Sequence, residues 1–230
     1  MVKAWPNAGS YRISIEPDGN GGSRIVGKQL KPLPGDLGLV IGDALQAMRS
    51  SLDNLAFALA AKSSPSMTAK EEEDVSFPIN DMPAPIGHRS IKHMGSIIGG
   101  EVVGFCPDPA VSPIQEHPLW ILNKMNNRDK HRAITVAAFA VAHYSMSLSG
   151  TMSGPGFIGP GGPQHTKDVG DAVVFASFGP GSQIQTNLSA SLQIVFDQGV
   201  EASNREVSST LRWFHDHIRD VVFQGLEQHL

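Results

Sequence analysis

The apolar positions of the chain fall into three helical stripes and several alternating runs. Leu45, Met48, Leu52, Leu55 and Leu59 are spaced 3, 4, 3 and 4 apart. That spacing lays one seam along a helix and predicts helix 36–62, with Asp36 as its N-cap. Ala56, Ala58, Ala60 and Ala61 add helix propensity and permit close approach. A second helix is expected over 117–133, with Pro118 at the favoured first position. Its stripe runs through Leu119, Leu122, Asn126, Asp129 and Ala133. A third helix covers 203–228, where Val207, Leu211, Phe214, Ile218, Val221, Val222 and Leu226 trace the buried side.

Elsewhere the period is two. Tyr11, Ile13 and Ile15 share one face of a strand, and Pro17-Asp18-Gly19-Asn20-Gly21-Gly22 is a strong turn signal. Residues 11–28 therefore read as a β-hairpin. Segments 171–178 and 183–196 read as two antiparallel strands joined by Gly179-Pro180-Gly181-Ser182. The stretch 134–148 reads mostly as strand, with a helix continuing to about 142 as the alternative. Residues 63–74 are polar and end in Glu71-Glu72-Glu73-Asp74, a solvated loop or short helix. Phe77-Pro78-Ile79 is a short apolar plug, and 90–98 has the makings of a short helix. The glycine- and proline-rich stretch 151–163 excludes a regular element, and it lacks the Gly-Lys-Ser/Thr ending of a phosphate loop. The expected fold is one α+β domain over 1–230. Its helical bundle, with core 36–133 and 203–228, packs with an antiparallel sheet built from 11–28 and 134–197.

Composition narrows the function. Of 230 residues, 40% are apolar and 17% are charged, which is the make-up of a globular chain. The net charge of −4 argues against a surface that grips nucleic acid throughout, but leaves room for a local basic patch. Cys106 is the single cysteine. It excludes an internal disulfide and a zinc site built on several cysteines, and it reads as a small hydrophobe. A reducing, cytoplasmic setting follows as the simplest expectation. No run of 18 apolar residues exists, so no membrane partner is expected.

The chemistry concentrates in two charged clusters set inside apolar helices. The first is Arg49-Ser50-Ser51-Leu52-Asp53-Asn54. The second is Asn126-Asn127-Arg128-Asp129-Lys130-His131-Arg132. Charge inside an apolar helix costs free energy unless it is paired. Arg49 and Asp53 are four apart and share one face. If the first two helices pack antiparallel, Arg49 faces Asp129, and Asp53 meets Lys130, His131 or Arg132. Two readings stay open. In one, the clusters are a partly buried ion-pair network that fixes helix register. In the other, they hold an anionic group such as a phosphate. Arg49 and His131 are then the catalytic pair, with Asp53, Asn54, Asn126, Asp129, Lys130 and Arg132 as surrounding binding groups. His131 serves as general acid or base and Arg49 stabilises developing charge.

The motifs Met48-Arg49-Ser50-Ser51-Leu52-Asp53-Asn54-Leu55, Phe77-Pro78-Ile79 and His117-Pro118-Leu119-Trp120-Ile121-Leu122-Asn123, with Asn127-Arg128-Asp129-Lys130-His131-Arg132, resemble a group of uncharacterised bacterial and phage proteins. That group is similar in turn to the HEPN (higher eukaryotes and prokaryotes nucleotide-binding) helical bundles. The resemblance spans about 37–133 plus a compatible C-terminal helix. It implies a metal-independent, ribonuclease-like site working as a homodimer on RNA or a nucleotide, with no cofactor. The HEPN motif is Arg, a polar residue, then His about four to six positions later. Arg49-Ser50 matches its start, but the His position falls on Asn54, which cannot shuttle a proton at neutral pH. Either His131 substitutes, or the chain is a non-catalytic binder. His215-Asp216-His217 does not make a metal motif, because helical residues two apart point to different sides. Trp120, Trp213 and Phe214 lie among apolar helix positions and read as core rather than as base-stacking platforms.

Overall fold

In the computed structural model, residues 9–129, 136–158, 168–197 and 199–230 are described. They form strands and helices in the order β1 Tyr11–Pro17, β2 Ser23–Gln29, α1 Leu37–Ser63, α2 Ala69–Asp74, α3 Gly95–Gly104, α4 Pro118–Asp129, β3 Val136–Thr151, β4 Phe157–Ile158, β5 Ala172–Phe178, β6 Gln183–Phe196, α5 Val207–His217 and, after a π-helical stretch at Ile218–Phe223, α6 Gln224–Leu226. The chain is α+β. It divides into two compact units, one of 1–37, 135–199 and 203–207, the other of 38–134, 200–202 and 208–230.

The first unit carries the strands. Hairpin β1–β2 pairs Tyr11 with Gln29 and Pro17 with Ser23. Its turn is set by Asp18, whose Oδ1 accepts from the N–H groups of Asn20 at 2.7 Å and Gly22 at 2.9 Å. Gly19 and Gly21 sit at φ of 86° and 82°, which only glycine adopts without strain. A bulge in β2 at Ile25/Val26 breaks the strict alternation, and both side chains end up buried.

The sheet order is β1-β2-β5-β4, and β3 pairs with β6 in a separate two-stranded sheet. The pairing expected between 171–178 and 183–196 is therefore corrected. β5 lies between β2 and β4, so both its edges are taken. Val173, Phe175, Ala176 and Phe178 are all buried, the pattern of a central strand. The Gly179–Ser182 link instead passes the chain between sheets. It is tied to the end of β3 by Ser182 Oγ, which donates to Ser153 O at 3.1 Å and accepts from Ser153 N at 3.0 Å. Strand wins over helix in the described part of 134–142, because β3 begins at Val136.

The second unit is helical. Leu45, Leu52, Leu55 and Leu59 are buried on α1 and Met48 is half-buried, as the seam requires. Within 63–74, α2 is fixed by a capping box between Thr68 and Glu71. The helix expected at 90–98 forms as a 3-10 turn at Lys92–Met94 that runs directly into α3. At the C-terminal end, Phe214, Ile218, Val222 and Leu226 are buried at successive spacings of four, whereas Val221 is 43% exposed and leaves the expected stripe. A spacing of four overshoots an α-helical turn by about 40° per step. The wider π turn at Ile218–Phe223 swings these side chains back onto one face and turns Val221 outward.

Candidate functional site

Arg49 and Asp53 grip the plug at Phe77. Arg49 Nη2 lies 3.0 Å from Asp53 Oδ1 on the next turn of α1. The same nitrogen donates to the Phe77 carbonyl at 2.9 Å. Asp53 Oδ1 accepts from the Phe77 N–H at 2.9 Å. One ion pair thus holds both backbone polar groups of a residue whose side chain is fully buried. Phe77 lies outside any helix or strand, so its N–H and C=O lack regular partners and must find others on burial.

α4 holds the same segment further along. Asn123 Nδ2 donates to the Ile79 carbonyl at 3.1 Å. Trp120 Nε1 donates to Asp81 Oδ1 at 2.8 Å, and Lys124 Nζ reaches the same oxygen at 2.9 Å. The Lys124 ammonium also sits over the Trp120 ring, 5.2 Å from its centroid. Hydrogen bonds from Lys124 and Trp120 hold the Asp81 carboxyl below its ordinary range. The motifs around Arg49, Phe77 and Trp120 are therefore one object. Residues 77–81 are stapled to α1 by Arg49 and Asp53 and to α4 by Trp120, Asn123 and Lys124.

The Arg49 side chain is 13% exposed and that of Asp53 is 37% exposed. Burial lowers the guanidinium's proton affinity, and the Asp53 charge partly restores it. Arg49 Nη1 is buried without a hydrogen-bond partner among the described residues. Burial pushes the Cys106 thiol up to about 12, despite the opposing influence of Arg49. Cys106 Sγ donates to Val102 O at 3.4 Å. A thiol held neutral in this way is no nucleophile.

The expected opposition of Arg49 and Asp129 is not formed. Asp129 abuts Gly42 near the start of α1, where an added Cβ would run into the Asp129 carboxylate. Gly42 precedes Arg49 by seven residues, roughly 10 Å along the helix. Arg49 takes its carboxylate from its own helix instead. Asn126 is buried at 1% exposure, as its stripe position predicts, and its Nδ2 has no partner among the described residues. Arg128 pairs with Glu201 at 3.1 Å. Asn54 is exposed and takes no part in the clamp. Lys130, His131 and Arg132 lie outside the described residues, and so does any pairing of theirs with Asp53. The site residues brought together are thus Arg49 and Asp53, around a backbone unit that is not itself a titratable group.

Among the described residues, no three His, Cys, Asp or Glu side chains form a metal-binding group. His215 is exposed beside Asp216, while His217 turns inward against His117. That contact carries no motif. Its only sequence signals are that His217 follows the buried Phe214 by three residues and that His117 precedes the helix-starting Pro118. No helix among the described residues is long and apolar enough to cross a membrane. Compared with protein-family models, with curated proteins and with solved structures, the chain matches none.

Proposed function

We propose that the Arg49–Asp53 cluster is scaffold and that the protein acts as a non-enzymatic interaction module. The single observation that carries this reading is the double grip on Phe77. Arg49 Nη2 is committed to the Phe77 carbonyl and to Asp53, and Asp53 is committed to the Phe77 N–H. An arginine that stabilises developing charge must turn a donor toward the reacting group. Here the paired donor is turned into the fold. The exposed Asn54, at the position where a ribonuclease of the resembling kind carries histidine, supplies no proton.

The experiment sets chemistry against stability. Purified wild-type protein is incubated with structured and single-stranded RNA without metal, beside Arg49→Ala and His131→Ala. Melting of Arg49→Ala, Asp53→Ala and the double variant is measured in parallel. The scaffold reading expects intact RNA throughout and strong energetic coupling between Arg49 and Asp53. Metal-independent cleavage that His131→Ala abolishes without lowering the melting temperature sinks it. Sedimentation equilibrium then distinguishes a module that self-associates from one that recruits a different chain.

A further inference from the structure

A second arrangement lies apart from the clamp. His117 sits immediately before α4, and His217 is the last residue of α5. Their rings meet edge to face, with centroids 5.6 Å apart and planes at 83°. Both side chains are half-buried. His117 Nδ1 accepts from the Leu119 backbone N–H at 3.3 Å, which satisfies one of the open donors at the helix start. Accepting that bond assigns the ring proton of neutral His117 to Nε2. His217 Nε2 is buried and has no hydrogen-bond partner among the described residues.

The charged groups nearby do not compensate either ring. On α5 and the π-helical stretch after it, His215, Asp216, Arg219 and Asp220 pair among themselves at the surface. Glu116, next to His117 in the chain, is exposed. Among the described residues no carboxylate comes within the 4.0 Å ion-pair range of His117 or His217. The strongest charged influence on His117 is therefore His217 itself.

We propose that the His117–His217 contact is a proton-operated latch that holds the start of α4 against the end of α5 at neutral pH and is progressively weakened as the pH falls. The geometry supplies three reasons. Protonated Nδ1 becomes a donor facing the Leu119 N–H, so the cap bond is lost. The new charge stands at the positive end of a helix dipole. A second charge on His217 would meet the first across a half-buried ring contact, and its buried Nε2 has no acceptor among the described residues. Burial and the neighbouring His217 accordingly push His117 down to about 4, and burial lowers His217 as well.

The test uses the full chain. The ring protons of both histidines are titrated by NMR. Backbone hydrogen exchange at Leu119, Trp120, Ile121 and Leu122 is compared at pH 7 and pH 5, corrected for intrinsic rates. The latch expects His117 to bind its proton at least about tenfold more weakly than a free imidazole. It also expects protection of those amides to fall by about tenfold or more between the two pH values. His117→Asn keeps a cap acceptor and does not titrate, so the fall should shrink in that variant to the part that His217 alone contributes. Titration of both histidines near the free value overturns the latch, as does an equal fall in His117→Asn. If that variant does not fold, the wild-type titration still decides.

Discussion

Replacing Arg49 with alanine removes three things at once. It deletes the donor to the Phe77 carbonyl at 2.9 Å and the 3.0 Å pair with Asp53, and it leaves a gap where the arginine stem lay. A hydrogen bond from a charged donor is worth about 1.5–3 kcal/mol. The ion pair itself adds less, on the order of 0.5 kcal/mol, because the Asp53 side chain is 37% exposed and screened. Two features reduce the loss. The Phe77 carbonyl also accepts from the Ile79 N–H at 2.9 Å, so it is not orphaned. The buried, partnerless Nη1 also disappears with the side chain, which removes a desolvation cost. The expected net cost is about 2 kcal/mol. Asp53→Ala should cost about as much or more, because it strips the Phe77 N–H of its acceptor and leaves a mostly buried guanidinium without its carboxylate. The double variant should cost clearly less than the two singles together, with a coupling of about 1 kcal/mol or more. Chemical denaturation with Trp fluorescence reads all four corners. An Arg49→Ala cost below about 0.5 kcal/mol, or full additivity, refutes the clamp as the reason for buried charge on α1.

Three other perturbations probe neighbouring features. Gly42→Ala brings a Cβ against the Asp129 carboxylate, the movable end of that side chain, so much of the gain of about 1 kcal/mol in helix propensity should be lost; Asp129→Ala in the same chain should recover it, and an undiminished gain in Gly42→Ala alone rejects the contact. Thr68→Ala should cost about 1 kcal/mol by removing the capping box of α2, seen as faster exchange of the Glu71 amide in a fold that is otherwise intact. Stability should fall as pH drops from 6.5 towards 4. His117 binds its proton less readily folded, at about 4, than at the ordinary 6.5 of an unfolded histidine, so the unfolded state takes up the extra proton across that window. The gap corresponds to about 3 kcal/mol in full, and solvent screening of a half-buried ring reduces it to about 1–2 kcal/mol. Urea midpoints that stay flat between pH 6.5 and 5, above the carboxylate range, contradict it.

Periodicity makes the helices legible because burial of a stripe is local information. Leu45, Leu52, Leu55 and Leu59 of the seam and Leu119 and Leu122 of the second stripe are apolar at helical spacing, and the structure buries them. Strand partnership is not local. β5 and β6 are consecutive and joined by a turn-like link, which is the pattern of a hairpin. Which edge a strand pairs with depends on strands more than a hundred residues earlier, and β2 takes β5. The π turn is likewise hidden, because the run of four-residue spacings at Phe214, Ile218, Val222 and Leu226 is read as ordinary helix unless its drift is summed.

The same division explains the site. Side-chain letters announce that Arg49 and Asp53 are a helical pair with charge in an apolar setting, and they invite a search for another charge to answer it. The true partner is the backbone of Phe77, 24 and 28 residues away. Backbone amides have no letter, so no spacing rule finds them. What the sequence does carry is the consequence. An irregular segment that buries the apolar side chains of Phe77 and Ile79 must bring its peptide groups into the interior with it. The Phe77 N–H then needs an acceptor, and its carbonyl, already bonded to the Ile79 N–H, takes a second donor beside it. An Arg and an Asp one helical turn apart supply both, and each neutralises the other while doing so. On this argument Phe77-Pro78-Ile79 and the Arg49–Asp53 pair are one folding unit, and charge within the α1 seam is the condition for burying the plug.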